Sequence, residues 1–275
     1  MKPLFSSLLL TVLLLPALAQ KQWELRVAAG YDFSTVSQYG IQHSSNTSLS
    51  NNSRVVNTSL ARGIAAGATA TWWLSRYVGI VAGGSYHSTT PAVKGTSFYN
   101  LGIDAFGSTE SKWNTRVALA EAGFALTIPD TKLNPYTRLS LLLPVYARVS
   151  EDVNWGDATI VGFSNGSYKK TYRLRHTAGY NAAVGIAPLL NKHIALLAEI
   201  NLQSLSILVR HSSMTSYVEK GVEKIETLTV SSKEVDFVKK INYNYPYSPG
   251  QPAQELTYTL PYSSIGLRVG VAIKL

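Results

Sequence analysis

The feature that most constrains this chain is a hydrophobic period of two in which charge falls on one phase only. The closing stretch SSIGLRVGVAIKL puts Ile265, Leu267, Val269, Val271, Ile273 and Leu275 on one face of an extended strand. Gly266, Arg268, Gly270, Ala272 and Lys274 share the other. The pattern returns along the chain. From Trp23, Leu25, Val27, Ala29, Tyr31 and Phe33 oppose Glu24, Arg26, Ala28, Gly30 and Asp32. Further strands are predicted over 64–74, 77–87, 114–128, 135–149 and 172–188, then from Ile194 to about Leu202, with the closing strand from about Leu256.

Turns near residues 75, 131 and 191 are short, whereas the connections at 37–60, 88–112, 150–171 and 210–256 are long and polar. Eight strands with short turns at one end and long loops at the other match a transmembrane barrel, whose periplasmic turns are short and extracellular loops long. The same alternation also fits a soluble sandwich or barrel with its charged face in water. Glu24, Arg26, Glu121, Arg138, Arg173, Arg175, Glu199, Arg268 and Lys274 all oppose the Leu/Val/Ile stripe, which stays almost free of charge. That bias favours an inside-out protein. The expected fold is all-β, a transmembrane antiparallel up-and-down β-barrel of eight strands with long extracellular loops, formed by residues 20–275 as one domain.

Lys2, the apolar run 4–15 and the small-x-small site Ala17-Leu18-Ala19 predict a secretory signal peptide over 1–19, too short in apolar length to span a membrane as a helix. Targeting to the bacterial outer membrane follows as the expectation. Cysteine is absent, which excludes disulfides and Cys-based zinc or thiol chemistry.

A barrel has to pair its last strand with its first, because an open edge in hydrocarbon leaves backbone N–H and C=O groups without partners. In its terminal amphipathic strand the chain resembles the small bacterial outer-membrane β-barrel proteins of the OmpX-, opacity- and PorT-like kind. In those proteins such a strand is also the assembly signal read by the barrel-insertion machinery, which the resemblance therefore implies as a partner. Such signals usually end on an aromatic residue, and this one ends on Leu275.

An eight-stranded barrel is just wide enough to be filled by its own side chains. The lumen is therefore expected to hold a structural charge network of Glu24, Arg26, Glu121, Arg138, Glu199, Arg268 and Lys274. Glu199 and Arg268 lie at similar depth on neighbouring strands and are expected to pair. Gly270, on the lumen phase, is expected to accept a small side chain. At the base of the long loops, Arg148, Lys169, Lys170, Arg173, Arg175 and Arg210 are candidates for contacts to lipopolysaccharide phosphates.

No catalytic, metal or cofactor site is predicted. The histidines at 43, 87, 176, 193 and 211 are scattered and lack metal-ligand spacing. His87-Ser88 and His211-Ser212 stand near the extracellular strand ends, where some lipid A-modifying enzymes place a His and a Ser, but adjacent residues on a strand face opposite ways. The sequons at Asn46, Asn51, Asn57 and Asn165 read as Ser/Asn-rich loop composition. In the longest loop, SYVEKGVEKIETLTV suggests a hairpin around Gly221, and Tyr243, Tyr245 and Tyr247 among prolines offer rigid aromatic surfaces. The functional expectation is a non-enzymatic outer-membrane protein acting through its surface loops, in binding, adhesion or envelope integrity. A narrow passive channel and a lipid A-modifying enzyme are the alternatives. Outer-membrane lipid, lipopolysaccharide and an unidentified extracellular ligand are the expected partners. Despite a net charge of +9, nucleic acid is a poor partner for a surface-displayed barrel.

Overall fold

The computed structural model describes residues 22–35, 42–47, 50–55, 60–100, 105–129, 131–159, 162–175, 177–241 and 248–275. The predicted signal peptide, His176, the sequon at Asn57 and the tyrosines at 243, 245 and 247 lie outside them. The described residues form fifteen strands, in chain order β1 (Gln22–Ser34), β2 (Gln42–Thr47), β3 (Ser50–Val55), β4 (Gly63–Trp73), β5 (Val78–Thr89), β6 (Ala92–Asn100), β7 (Ala105–Thr127), β8 (Pro135–Thr159), β9 (Gly162–Arg175), β10 (Gly179–Ile186), β11 (Ile194–Glu219), β12 (Val222–Glu223), β13 (Glu234–Val238), β14 (Ala253–Leu256) and β15 (Thr259–Lys274). A one-turn helix, Val230–Lys233, precedes β13.

Eight staves close into an antiparallel ring in the order β1, β4, β5, β7, β8, β9 with β10, β11 and β15, and β15 pairs back to β1. The expected up-and-down barrel of eight strands is therefore the fold. Cross-strand partners give its stagger. Trp23 pairs with Trp72, Trp72 with Ile80, Ile80 with Phe124, Phe124 with Leu139, Leu139 with Ala182, Ala182 with Leu202, Leu202 with Ile265, and Ile265 with Phe33. The path leaves β1 at Trp23 and returns ten residues further along it. With a rise of about 3.3 Å per residue and strands about 4.8 Å apart, that stagger tilts the staves by about 40°.

Every stop on this path is apolar and turned outward. Leu139, Leu141, Val184 and Val269 are each more than 60% exposed, so the stripe seen in the sequence is the outside of the barrel rather than its core. From Trp23 to Phe33 the belt stands about 25 Å along the barrel axis. Trp23, Trp72 and Tyr77 mark its lower edge, where the two tryptophan rings stack at 6.1 Å. Tyr31, Phe33, Tyr86 and Tyr146 mark the upper one.

Three breaks in alternation change the sequence reading. Ala118 pairs with Tyr146 but Leu119 with Pro144, so Val145 is an extra residue in β8. Pro144 has no N–H to give the ladder, which suits it to a bulge. Val145 and Tyr146 both face outward, and Arg148, which the unbroken pattern puts on the face of Arg138, is also turned out. A second irregularity at Arg210 exposes that residue. The third separates β9 from β10. It inverts the phase, so that Leu174 partners inward Val209 while Arg173 and Arg175, expected inside, are exposed on the outer face.

The segments expected as polar loops carry much of the sheet. β7, β8, β9 and β11 continue past the belt, with β6 added beside β7. β8 climbs roughly 25 Å above Arg148 at this tilt. The hairpin at Gly221 forms between β11 and β12, with Lys220 at φ 50° and Gly221 at φ 78°. Two successive positive φ values give the turn whose twist suits a tight hairpin, and glycine adopts one without strain. The expectation for Gly270 fails, because a Cβ there would stand 2.0 Å from the carbonyl oxygen of Val27. The closing seam between β15 and β1 approaches too closely for a side chain at that position.

Candidate functional site

The lower lumen is built from the inward phase of each stave. On β1 this phase carries Glu24, Arg26 and Asp32, on β7 Glu121, on β8 Tyr136 and Arg138, on β11 Glu199 and on β15 Arg268. All are buried. Arg26 donates through Nε to Glu24, whose other oxygen accepts from the Trp73 indole at 3.3 Å. The Arg26 guanidinium then lies 4.0 Å over the ring of Tyr136. β1 and β8 are opposite staves, so this contact crosses the barrel. Tyr136 donates to Glu199 at 2.9 Å, and Arg138 donates to the other Glu199 oxygen at 3.2 Å and to Thr69 at 3.3 Å. Arg138 also faces Glu121 at 3.7 Å. Asn181 donates to Glu121 at 3.1 Å and accepts from Asn201.

Six of the seven expected lumen residues therefore sit inside the barrel. Lys274 is at its lower mouth, only half-buried, with no ion pair among the described residues. The Glu199–Arg268 pairing is corrected. The two are cross-strand partners at equal depth, but Glu199 is held by Arg138 and Tyr136. Arg268 turns to Asp32 at 3.8 Å. Side chains in a lumen meet across the circle as well as along its wall, so depth alone does not choose the partner.

Above this layer Asp32 contacts His87 Nδ1 at 2.9 Å, and His87 Nε2 contacts the Ser85 hydroxyl at 2.9 Å. With the proton on Nδ1, His87 donates to Asp32 and accepts from Ser85, the order found in a nucleophile, base and orienting acid. Ser85 lines a cavity of about 20 Å³ together with Arg26, Thr69, Glu121, Arg138 and Arg268. That space holds about one water molecule, far below the few hundred Å³ of a substrate pocket. The arrangement can fix a water and tie β1 to β5, and it has no room for an acyl chain. Asp32 and His87 share the inward parity of Arg26 and Ser85, which is the signal that could have found them.

The upper lumen is apolar. Leu60, Ala61, Val117, Leu119, Leu142, Leu205, Ile207, Val209, Leu260 and Tyr262 form one buried cluster, joined by Val235 and Phe237 of β13. The segment that carries Leu60 enters the mouth just before β4 begins. A charged layer is thus overlaid by a hydrocarbon one.

Of the residues expected to meet phosphate, Arg148, Arg173, Arg175 and Arg210 are exposed on the outer face near the upper edge of the belt. Lys169 is exposed higher on β9. Lys170 points the other way, with its ammonium 5.1 Å from the Tyr168 ring. His87 and Ser88 face opposite sides of β5, and His211 pairs with Asp236 at 2.8 Å. Among the described residues no three acidic or histidine side chains gather as a metal site, and no helix is long and apolar enough to cross a membrane.

Comparison of the sequence with known protein families and with curated proteins found no match in either. Among solved structures the chain is similar to the outer membrane protein OprG from Pseudomonas aeruginosa, at 10% identity and a TM-score of 0.41, covering 93% of this chain and 96% of that one. The architecture given above rests on this chain's own strand register rather than on that likeness.

Proposed function

We propose that the protein is an outer-membrane β-barrel that spans the bilayer with a closed lumen and works through its long-loop end. The carrying observation is the contact of Arg26 with Tyr136 across opposite staves, beneath a buried apolar cluster. An ion following the axis would have to displace both layers. The spanning reading is supported by the continuous outward belt. Its height of about 25 Å and its aromatic borders fit the apolar band of transmembrane barrels, and soluble monomers rarely expose apolar patches beyond a few hundred Å². The export reading of residues 1–19 agrees with this.

The loop-end role is supported by where the ordered surface lies. The extended strands, β13, β14 and the one-turn helix all stand beyond the upper border, while the connections between staves at the lower end, among the described residues, are short turns. The reading is tested by reconstituting the purified protein in planar lipid bilayers. No unitary current steps are expected above the bare-membrane background. Reproducible steps would replace it with the narrow-channel alternative, and a change in lipid A mass on expression would replace it with the enzyme.

A further inference from the structure

The outer face changes character just above the upper aromatic border, on the side of β7, β8, β9 and β11. Arg116 is the direct cross-strand partner of Arg148. Val149 pairs with Tyr172, so the next partner along is Arg173, and Arg173 in turn faces His211 beside Arg210. Arg175 lies two residues below Arg173 on the same face. In staves tilted by about 40°, successive partners climb about 3 Å, so the five arginines fall within a band about 7 Å deep.

All five are exposed. Like charges directly opposite on neighbouring strands repel. Among the described residues none of the five makes an ion pair. Of the acidic groups nearby, Glu151 accepts from Tyr172 at 2.6 Å and Ser111 at 2.7 Å, Glu110 pairs with Lys112, Asp236 pairs with His211, and Asp152 stands four residues above Arg148 on the same face, opposite Lys112 and Lys169 rather than the arginines. Immediately below the row, Leu143, Val145 and Tyr146 face outward.

We infer that this arginine row is a clamp for the phosphate groups of an anionic lipid headgroup in the leaflet at the long-loop end. The inference rests on the membrane-spanning reading above. Guanidinium forks match phosphate oxygens bidentately, and a phosphate between two neighbouring arginines removes their repulsion while adding charge-assisted hydrogen bonds. The apolar step beneath the row selects a lipid over a free ion, because the acyl chains of a clamped headgroup descend along Val145 and Leu143. Arg116 belongs to the row through register alone. Lys170 does not belong, since it faces the other way.

The test measures binding of lipid A by native mass spectrometry, using folded protein in detergent with bisphosphorylated lipid A, its monophosphorylated form and phosphatidylcholine as probes, and inorganic phosphate as competitor. The variant R116Q/R148Q/R173Q should bind bisphosphorylated lipid A about tenfold more weakly. The control K132Q/K192Q/K239Q, with the same charge change away from the row, should stay within about twofold. Arg148→Gln alone should lose about threefold, which keeps the test open should the triple variant fail to fold. Equal binding by the triple variant and wild type, or an equal loss in the lysine control, would overturn the clamp. Displacement of lipid A by an equal concentration of inorganic phosphate would overturn the lipid in favour of a free anion. Failure of the spanning reading is seen separately, as recovery of folded wild-type monomer from buffer without amphiphile.

Discussion

Arg138 offers the sharpest perturbation of the lumen, because one guanidinium serves two carboxylates from the centre of the barrel. At 3.2 Å from Glu199 and 3.7 Å from Glu121, each gross attraction is about 5 kcal/mol at an effective dielectric of 20. Arg138→Met keeps the stem and deletes the charge, leaving two buried carboxylates facing each other. Breaking a buried pair from one side costs about 3 to 5 kcal/mol. The adjacent cavity admits about one water, which places the expected loss toward the lower end of that range. Equilibrium urea unfolding in phospholipid bilayers, followed by tryptophan fluorescence, measures it. The decisive form is a pair of double-mutant cycles. Arg138 with Glu199 should couple by about 2 kcal/mol or more, and Glu199 with Arg268 by less than about 1, since Arg268 is engaged with Asp32. A larger coupling for Glu199 with Arg268 than with Arg138 would refute the assignment of lumen partners, and an unchanged stability for Arg138→Met would refute the closed charged layer itself.

Val269 faces outward near mid-belt, so Val269→Lys should cost about 2 to 4 kcal/mol in bilayers. Gly270→Ser, on the opposite phase, should also destabilise, through its clash with the Val27 carbonyl, and the same unfolding assay checks both. At the loop tip the Glu219 carboxyl is held below the usual range by its hydrogen bond and attraction to Lys224, and Glu223 likewise by the Tyr217 N–H and the Ser216 hydroxyl. A lowered folded pKa means that this contribution to the hairpin is fully present above the ordinary glutamate range and is lost as pH falls through the lowered values. Carboxyl carbon NMR titration should place both transitions below that range, and transitions at the ordinary value would refute the contacts. Trypsin added to intact cells should cleave after the exposed Lys239 or Lys240 and spare Lys132 in a short turn, while Lys224, paired with Glu219 at 2.8 Å, should be cut more slowly. Cleavage at Lys132 alone would invert the topology.

What the sequence determined by itself is whatever depends on a period of two. The outward stripe from Leu25 to Phe33, the inward Glu24, Arg26, Glu121, Arg138 and Glu199, the eight staves and the alternation of short turns with long connections all follow from parity and turn chemistry, which are local. The tertiary structure decided what parity cannot carry. A single extra residue at Val145 turns Arg148 outward, and the break between β9 and β10 does the same for Arg173 and Arg175, because one residue of slip exchanges the two faces of a strand. Only the pairing register of β7, β8 and β9, the extra residue at Val145 included, brings Arg116, Arg148 and Arg173 side by side. Only curvature brings Arg26 over Tyr136 and Arg138 to Glu199, since residues far apart in the chain meet in a lumen when tilt and closure set their height and bearing together. The apolar cluster around Leu60 was hidden for a related reason: hydrophobic residues on the inward phase read in a sequence as a weaker alternation, and only the closed mouth gives them a common interior.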